Sequence, residues 1–512
     1  KIYRREALEA TDYGFISILP IIITLAIAVW SQNVIIGLFV GVFSGVVILN
    51  GFNPGIIISL MVSDYFVPQM LSPSQSGILV LMCFIGGLVA LMEKSGGAVA
   101  FASSMTHIIT SRLKAQIATW ATGIMIFFSD LGTPLIVGPI YRPITDKLRI
   151  SRVKLAWIID TTASPVAVLI PFIGWGVYSM GLIEGEFLEI GRDETSFDAY
   201  VAAIPFQFYS LFAIMMVPLV AFSGYEFGPM ARAEQQAQAR ELLRDDSGLE
   251  ILDNLSHPKA KAIFVWLPLL VMVGLLFTLL TPYGFPLNPV PSLVFRGALS
   301  SAYFYSSMTL IVLLLFYGVK TFKESMVIYF SGVSRMTSVL IILVLAWSLS
   351  EVGKNLGTAQ FIISMAEGNF YPFLLPVVAF LFGGLMSFAT GSSWGTYAIM
   401  MPLIIAVADA LGAPMHVSIG AVLSGGMFGD HCSPISDTTI LAASGAGCSQ
   451  FDHVRTQLPY ELFNGSICVV SYVMAGLTES NLVFLPGMVL LTMGLYLLNK
   501  VAGVKIHNTS SI

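Results

Sequence analysis

Apolar stretches of membrane-spanning length recur from one end of this chain to the other, and no other feature restricts its folding as much. A helix that crosses a bilayer needs about 20 mostly apolar residues. Candidates lie at 15–30, 34–50, 77–92, 115–128, 157–180, 201–223, 262–281 and 306–317 in the first part of the sequence. Others follow at 337–349, 372–389, 397–411, 417–428, 466–477 and 483–498. Several are too short to cross unaided, so half-helices and re-entrant segments are expected among about ten to twelve true spans. Of the 512 residues, 56% are hydrophobic and 11% charged, with a mean hydropathy of +0.83. A soluble surface would need roughly 25% charged residues. The expected fold is therefore an all-α polytopic membrane protein. A net charge of −5 argues against nucleic-acid binding. Cys83, Cys432, Cys448 and Cys468 stand in apolar surroundings without a CxxC pair, so neither a disulfide scaffold nor a zinc site is indicated. The first apolar stretch lacks a small-residue cleavage site and reads as a retained helix.

Lys and Arg in short loops set orientation. Lys1, Arg4 and Arg5, the 142–154 loop and the 225–261 segment are basic, whereas 184–198 is acidic. The N-terminus and the polar linker at 224–258 are thus expected in the cytoplasm, and the acidic loop outside. This divides the chain into a first membrane repeat (1–223), the linker (224–258), a second, inverted repeat (259–503) and a tail (504–512).

The repeat itself is visible in the residues. Gly132-Thr133, Pro139 and Asp146 recur as Gly395-Thr396, Pro402 and Asp409, all at an offset of 263. Ser164-Pro165 recurs as Ser433-Pro434, and Lys94, Gly97 and Phe101 as Lys354, Gly357 and Phe361. The loop after the first copy is strongly basic, yet no Lys or Arg occurs between Asn355 and Val454. The copies are therefore expected to face opposite sides, the arrangement of alternating-access transporters.

Each copy carries two helix-breaking signals. The first is SDLGTP at 129–134, matched by TGSSWGT at 390–396. Here Ser129, Asp130, Gly132, Thr133, Ser392, Ser393, Trp394, Gly395 and Thr396 would form hairpin tips that hold an ion or solute. A half-helix beginning at such a tip points its positive end at the cavity. The blander reading makes these hydroxyls, and Asp130, simple caps. The second signal is DTTASP at 160–165, matched by DHCSPISDTT at 430–439. The residue before proline is pushed out of the helical region, and Asp and Thr beside each break supply hard oxygen ligands. A carboxylate in the bilayer costs roughly 2.5–3.5 kcal/mol or more, so Asp160, Asp430 and Asp437 are the expected coupling and Na+-binding carboxylates. Thr161, Ser164, Ser433 and Thr438 would assist. Their bland alternative is a cap or a buried hydrogen bond. His431 is a candidate pH sensor, or a packing donor. Glu351 with Lys354, and Glu93 with Lys94, read as simple pairs. Asp146 and Asp409 read as solvated.

The strings TGSSWGT (390–396) and FGDHCSPISDTTIL (428–441) resemble the NhaC family of Na+/H+ antiporters, within the wider ion transporter superfamily. The resemblance implies a multi-pass transporter of the bacterial plasma membrane with two inverted repeats, re-entrant hairpins and broken helices. It also implies a homodimer, with a scaffold and a mobile transport domain. The expected activity is Na+/H+ antiport at mid-membrane carboxylates, with no cofactor beyond the transported ions. The alternative is Na+-coupled movement of a small organic acid or amino acid, since some members resemble carriers of such solutes. No nucleophile elbow, phosphate loop or metal-ligand spacing points to an enzyme.

Overall fold

The computed structural model describes residues 13–51, 53–106, 109–239, 257–286, 288–366 and 370–506. It is helical almost throughout. Among the described residues nine helices are long and apolar enough to cross a membrane, or up to eleven if each of two bent pairs is one span. This bears out the expected polytopic all-α fold.

The first repeat runs through α1 (Pro73–Lys94), α2 (Gly97–Met105), α3 (Arg112–Met125), α4 (Gly132–Lys147), α5 (Arg152–Thr161) and α6 (Gly174–Ile190). Helices α7 (Phe208–Ser223) and α8 (Gly228–Ala239) lead out of it. The matching series is α9 (Thr337–Leu356), α10 (Thr358–Ala366), α11 (Leu375–Thr390), α12 (Ser393–Leu411), α13 (Met415–Cys432), α14 (Asp437–Ala446) and α15 (Gln450–Thr478). Packing follows the repeat. Hairpin helix α4 of the first half lies on α14, which follows the break in the second half; α12 of the second half lies on α6, which follows the break in the first. Within each half the hairpin also packs on its own broken helix, α4 on α5 and α12 on α13. Small residues allow this closeness. A Cβ on Gly138 of α4 would fall 2.4 Å from the Gly445 carbonyl carbon of α14.

Both Ser-Pro pairs break the chain as expected. Helix α5 stops at Thr161, and a single turn, Ser164–Ala167, intervenes before α6. Helix α13 stops at Cys432, and the chain is extended at Ser433 and Ser436 before α14. The stretch at 201–223 is a bent pair, Ser196–Phe206 and Phe208–Ser223, angled by 46°. Expected boundaries differ in three places: the stretch at 157–180 straddles the first break, and that at 306–317 is only the end of Ser292–Phe316. The stretch at 466–477 is only the end of the 29-residue helix α15. Its first half carries buried polar side chains that depress local hydropathy without stopping the helix. Outside the paired series, Ser292–Phe316 and Phe322–Arg335 pack on α1, and Ile263–Leu280 packs on Ser292–Phe316. Among the described residues the one sheet is a two-residue antiparallel ribbon, Tyr225–Glu226 with Val504–Lys505, tying the linker to the C-terminal segment.

Buried charges fasten the linker helix to the ends of α5 and α15. Lys154 of α5, fully buried, pairs with Glu226 at 2.7 Å and lies 4.2 Å from the centre of the Trp157 ring. The Tyr460 hydroxyl donates to the same Glu226 at 2.5 Å. Glu234 of α8 takes the Arg112 guanidinium on one oxygen and the Ser151 N–H, at 2.7 Å, on the other.

Candidate functional site

Asp160 closes the last turn of α5 and is 1% exposed. Its Oδ2 accepts from the Thr439 hydroxyl at 3.1 Å and stands 3.2 Å from both His453 Nε2 and Gln457 Nε2. His431 Nε2 stands 3.6 Å away. All four partners belong to the second half, on α13, α14 and α15. The first break supplies a carboxylate, and the second half builds its surroundings. The other oxygen, Oδ1, is buried and takes no hydrogen bond among the described residues. A buried acceptor left unpaired costs about 1–3 kcal/mol, more when charged, so such an atom points to an occupant or a proton. The Ser164 hydroxyl, just beyond the same break, is likewise buried and unpaired among the described residues.

Asp430, 6% exposed, sits one turn before the second break. The Ser436 and Ser393 hydroxyls stand beside its carboxylate, and it lies within electrostatic reach of Asp160. Ser393 stands at the second hairpin tip and also reaches the Gly426 carbonyl at 3.3 Å. One cluster thus gathers the carboxylate from each break and a hydroxyl from one tip. Asp437 is placed differently: it is exposed at the first position of α14. Thr438 beside it is buried, its hydroxyl 3.1 Å from that of Ser436. Thr161 donates to the Trp157 carbonyl at 2.7 Å and Ser433 to the Phe388 carbonyl at 2.8 Å, so both hydroxyls are engaged with backbone.

The two tips meet through one side chain. Trp175, at the start of α6, donates its indole N–H to Asp130 Oδ2 at 2.9 Å. Its ring lies 4.1 Å, centre to centre, from that of Trp394. The Tyr178 hydroxyl donates to the Trp394 carbonyl at 2.6 Å. Most tip hydroxyls close their own turns, as the capping alternative has it. Ser129 accepts from the Gly132 N–H at 2.9 Å and donates to Glu93 at 2.5 Å. Thr133 donates to the Ser129 carbonyl at 2.7 Å. Ser392 accepts from the Gly395 N–H at 3.3 Å, and Thr396 donates to the Ser392 carbonyl at 2.9 Å. The turn before Ser392 needs a glycine, because Gly391 has φ +64° and lies against Ile435 of the second break.

Several simple pairings come out otherwise. Lys354 pairs with Glu189, because α9 and α6 run together. Glu93 pairs with Arg335 at 2.9 Å, and Asp146 with Arg152 at 3.0 Å.

His431 joins the Asp160 cluster to a second buried group that the sequence reading missed. Its Nδ1 is 2.9 Å from the Tyr209 hydroxyl and 3.4 Å from Glu461 Oε2. Tyr209 donates to Glu461 Oε2 at 2.6 Å, and the Trp157 indole donates to Oε1 at 2.9 Å. Gln457 also donates to the His431 carbonyl at 2.6 Å. A signal for these residues was present. His453, Gln457, Tyr460, Glu461, Asn464 and Cys468 recur three or four apart along one buried face of α15. No group of three or more His, Cys, Asp or Glu side chains forms a metal cluster among the described residues.

Residues 166–477 match the Na+/H+ antiporter family, a range that holds Asp430 and all of α13 and α14 but begins after Asp160. A Haemophilus influenzae protein without an assigned function is 32% identical over 502 residues, covering 94% of this chain and 95% of its own length. The malate-2H+/Na+-lactate antiporter of Bacillus subtilis is 34% identical over 127 residues, 25% of this chain and 27% of its own. The Na+/H+ antiporter NhaC of Alkalihalophilus pseudofirmus is 30% identical over 139 residues, 27% of this chain and 29% of its own. Among solved structures, the YdaH transporter of Alcanivorax borkumensis superposes with a TM-score of 0.58 at 15% identity. That superposition covers 82% of this chain and 88% of the other. The fold is thus shared with a known transporter, and the chain, a multi-pass membrane protein, belongs to the NhaC-type Na+/H+ antiporter family of ion-coupled antiporters.

Proposed function

We propose that this protein exchanges Na+ for H+ across the bacterial plasma membrane, with Asp160 and Asp430 as the carboxylates that hold one or the other. The observation that carries the reading is Asp160: a fully buried carboxylate with one oxygen held by donors from the opposite half and the other unpaired among the described residues. Na+ prefers such hard oxygen donors. A proton on the same carboxylate removes the charge that attracts Na+, so the two compete for one site. Ser164, Ser393 and Ser436 serve as further oxygen donors, with Thr161, Ser433 and Thr438 lining the breaks. Asp437, exposed at the start of α14, serves as an outlying carboxylate on the approach to the site. The tips Ser129–Thr133 and Ser392–Thr396, joined through Trp175, act as paired gates, and His431 senses the protonation of the cluster. Alternating access follows from rocking of the two inverted halves, in a homodimer whose N-terminus and linker face the cytoplasm.

Purified protein in liposomes tests this. An imposed Na+ gradient is expected to drive proton flux with no organic solute present. Absence of that flux, with solute uptake stimulated by Na+, would instead support a Na+-coupled carrier of a small carboxylate or amino acid. That second reading is favoured by the likeness to a protein named for malate and lactate exchange.

A further inference from the structure

A cavity of about 410 Å³ lies where α12 meets α6 and α9, away from the ion cluster, with α10 contributing to its lining. Its walls are mostly apolar, Ala346, Leu349, Ile399, Leu403 and Val407 among them. Four charged side chains join them: Glu186, Glu189, Asp409 and Lys354. Lys354 is taken by Glu189. Glu186 and Asp409 make no ion pair among the described residues, so two carboxylates of the lining lack a cation.

Glu186 is 4% exposed. Its Oε1 accepts from the Ser350 hydroxyl, while Oε2 takes no hydrogen bond among the described residues. A buried acceptor left unpaired costs about 1–3 kcal/mol, more when charged, and a donor seated in the cavity would satisfy it. The backbone adds another acceptor. Pro402 of α12 has no N–H to bond the Ala398 carbonyl one turn before it, and both residues line the cavity. Acceptors and negative charge thus collect in an apolar space whose one lysine is already engaged. An ammonium or amidinium suits the Glu186 carboxylate, and an apolar body suits the walls. A carboxylate on the same molecule would meet Glu186 and Asp409 with no unengaged cation to receive it. Na+ alone would leave the apolar walls unfilled.

We propose that this cavity binds an amphipathic organic cation without a carboxylate, which is not carried but braces α12 against α6 and α9 and slows exchange. Helix α12 starts at the second hairpin tip, whose Ser393 stands beside Asp430, so an occupant held by all three helices restrains the tip. The slowing rests on the reading of that tip as a gate; the binding does not.

Calorimetry on the full-length protein in phosphatidylcholine nanodiscs, where no lipid supplies a primary amine, tests the site with 2-phenylethylamine as the probe. Two competitors share its apolar body: 2-phenylethanol lacks the charge, and phenylalanine adds a carboxylate. Each is expected to displace the probe at least about tenfold more weakly than unlabelled 2-phenylethylamine does. Glu186→Gln should weaken probe binding at least about tenfold. Ala406→Phe, which fills the cavity from a half-buried wall position, should weaken it as much and keeps the test open should Glu186→Gln not fold. Counterflow of radioactive Na+ in liposomes, with equal pH on both sides so that the amine cannot act by collapsing a pH gradient, should fall at least about fivefold when the probe saturates the wild type. The same probe concentration should leave counterflow by Glu186→Gln unchanged. The proposal is overturned if the wild type does not bind the probe, if either competitor matches it, if folded Glu186→Gln or Ala406→Phe keeps wild-type affinity, or if saturating probe leaves wild-type counterflow unaltered. Wild-type protein that shows no Na+ counterflow even without the probe would overturn the Na+/H+ reading instead, and the calorimetry would still decide whether the cavity binds the cation.

Discussion

Asp160 and Asp430 stand at comparable places in the two halves, each a few residues before a Ser-Pro break, yet their surroundings differ in origin. Each partner recorded for the Asp160 side chain comes from the opposite half. The hydroxyls that stand beside Asp430, Ser393 and Ser436, come from its own half. Duplication therefore explains the scaffold but not the chemistry. The first half contributes a carboxylate, and the second contributes a carboxylate together with the donors that fix both. On the proposed reading, an ion held between them would sense the relative position of the halves, as alternating access demands.

Substitutions at the two aspartates press on this difference hardest. Asp160→Asn is expected to reduce Na+-coupled flux in liposomes by at least about a hundredfold, since it removes the charge that faces the unpaired position. Asp430→Asn should cost less, about tenfold, because its serine partners remain. Equal losses would mean that the halves contribute alike. Lys154→Met leaves Glu226 buried without its cation and should destabilise the protein by about 3–5 kcal/mol, read as a lower unfolding midpoint in detergent. Trp175→Phe removes the indole donor to Asp130 and uncouples the tips; a two- to fivefold fall in turnover, with Na+ affinity kept, is expected for the loss of roughly 1 kcal/mol.

The smallest effect concerns a contact between a loop and the start of α13. Glu194, in the loop before Ser196–Ala203, is pushed up by partial burial but pulled further down by His416, 2.7 Å away, and by Arg192, leaving it below the ordinary carboxylate range. Its folded-state value is depressed, so its stabilisation is present above the unfolded carboxylate value of about 4.3 and fades as pH falls through the folded value. Thermal melts of Glu194→Gln and wild type should differ slightly near neutrality and converge in acid.

Much of this was legible in the sequence, for a physical reason. Prolines, glycines and spans of fixed length are local signals, so the repeat, both breaks and both tips could be read from residues alone. Asp160 and Asp430 could be singled out because a carboxylate in an apolar run is costly. The donors on α15 could not be read in the same way. His453, Gln457 and Glu461 belong to a helix whose buried face is polar, so the hydropathy that marks a span falls where the site lies. Tyr209 looks like any aromatic of an apolar helix until Glu461 is seen beside it. At the tips, a Ser or Thr that caps its own turn has the same sequence signature as one that faces an ion, so sequence alone does not separate the two.

The claim that Na+ and H+ contend for the carboxylates at the two breaks is tested most directly by binding of radioactive Na+ to the purified protein across neutral to alkaline pH. The account predicts that wild-type affinity rises with pH, as protons leave the site, and that Asp160→Asn abolishes both the binding and its pH dependence while the protein stays folded. Undiminished, pH-dependent Na+ binding by folded Asp160→Asn would contradict it.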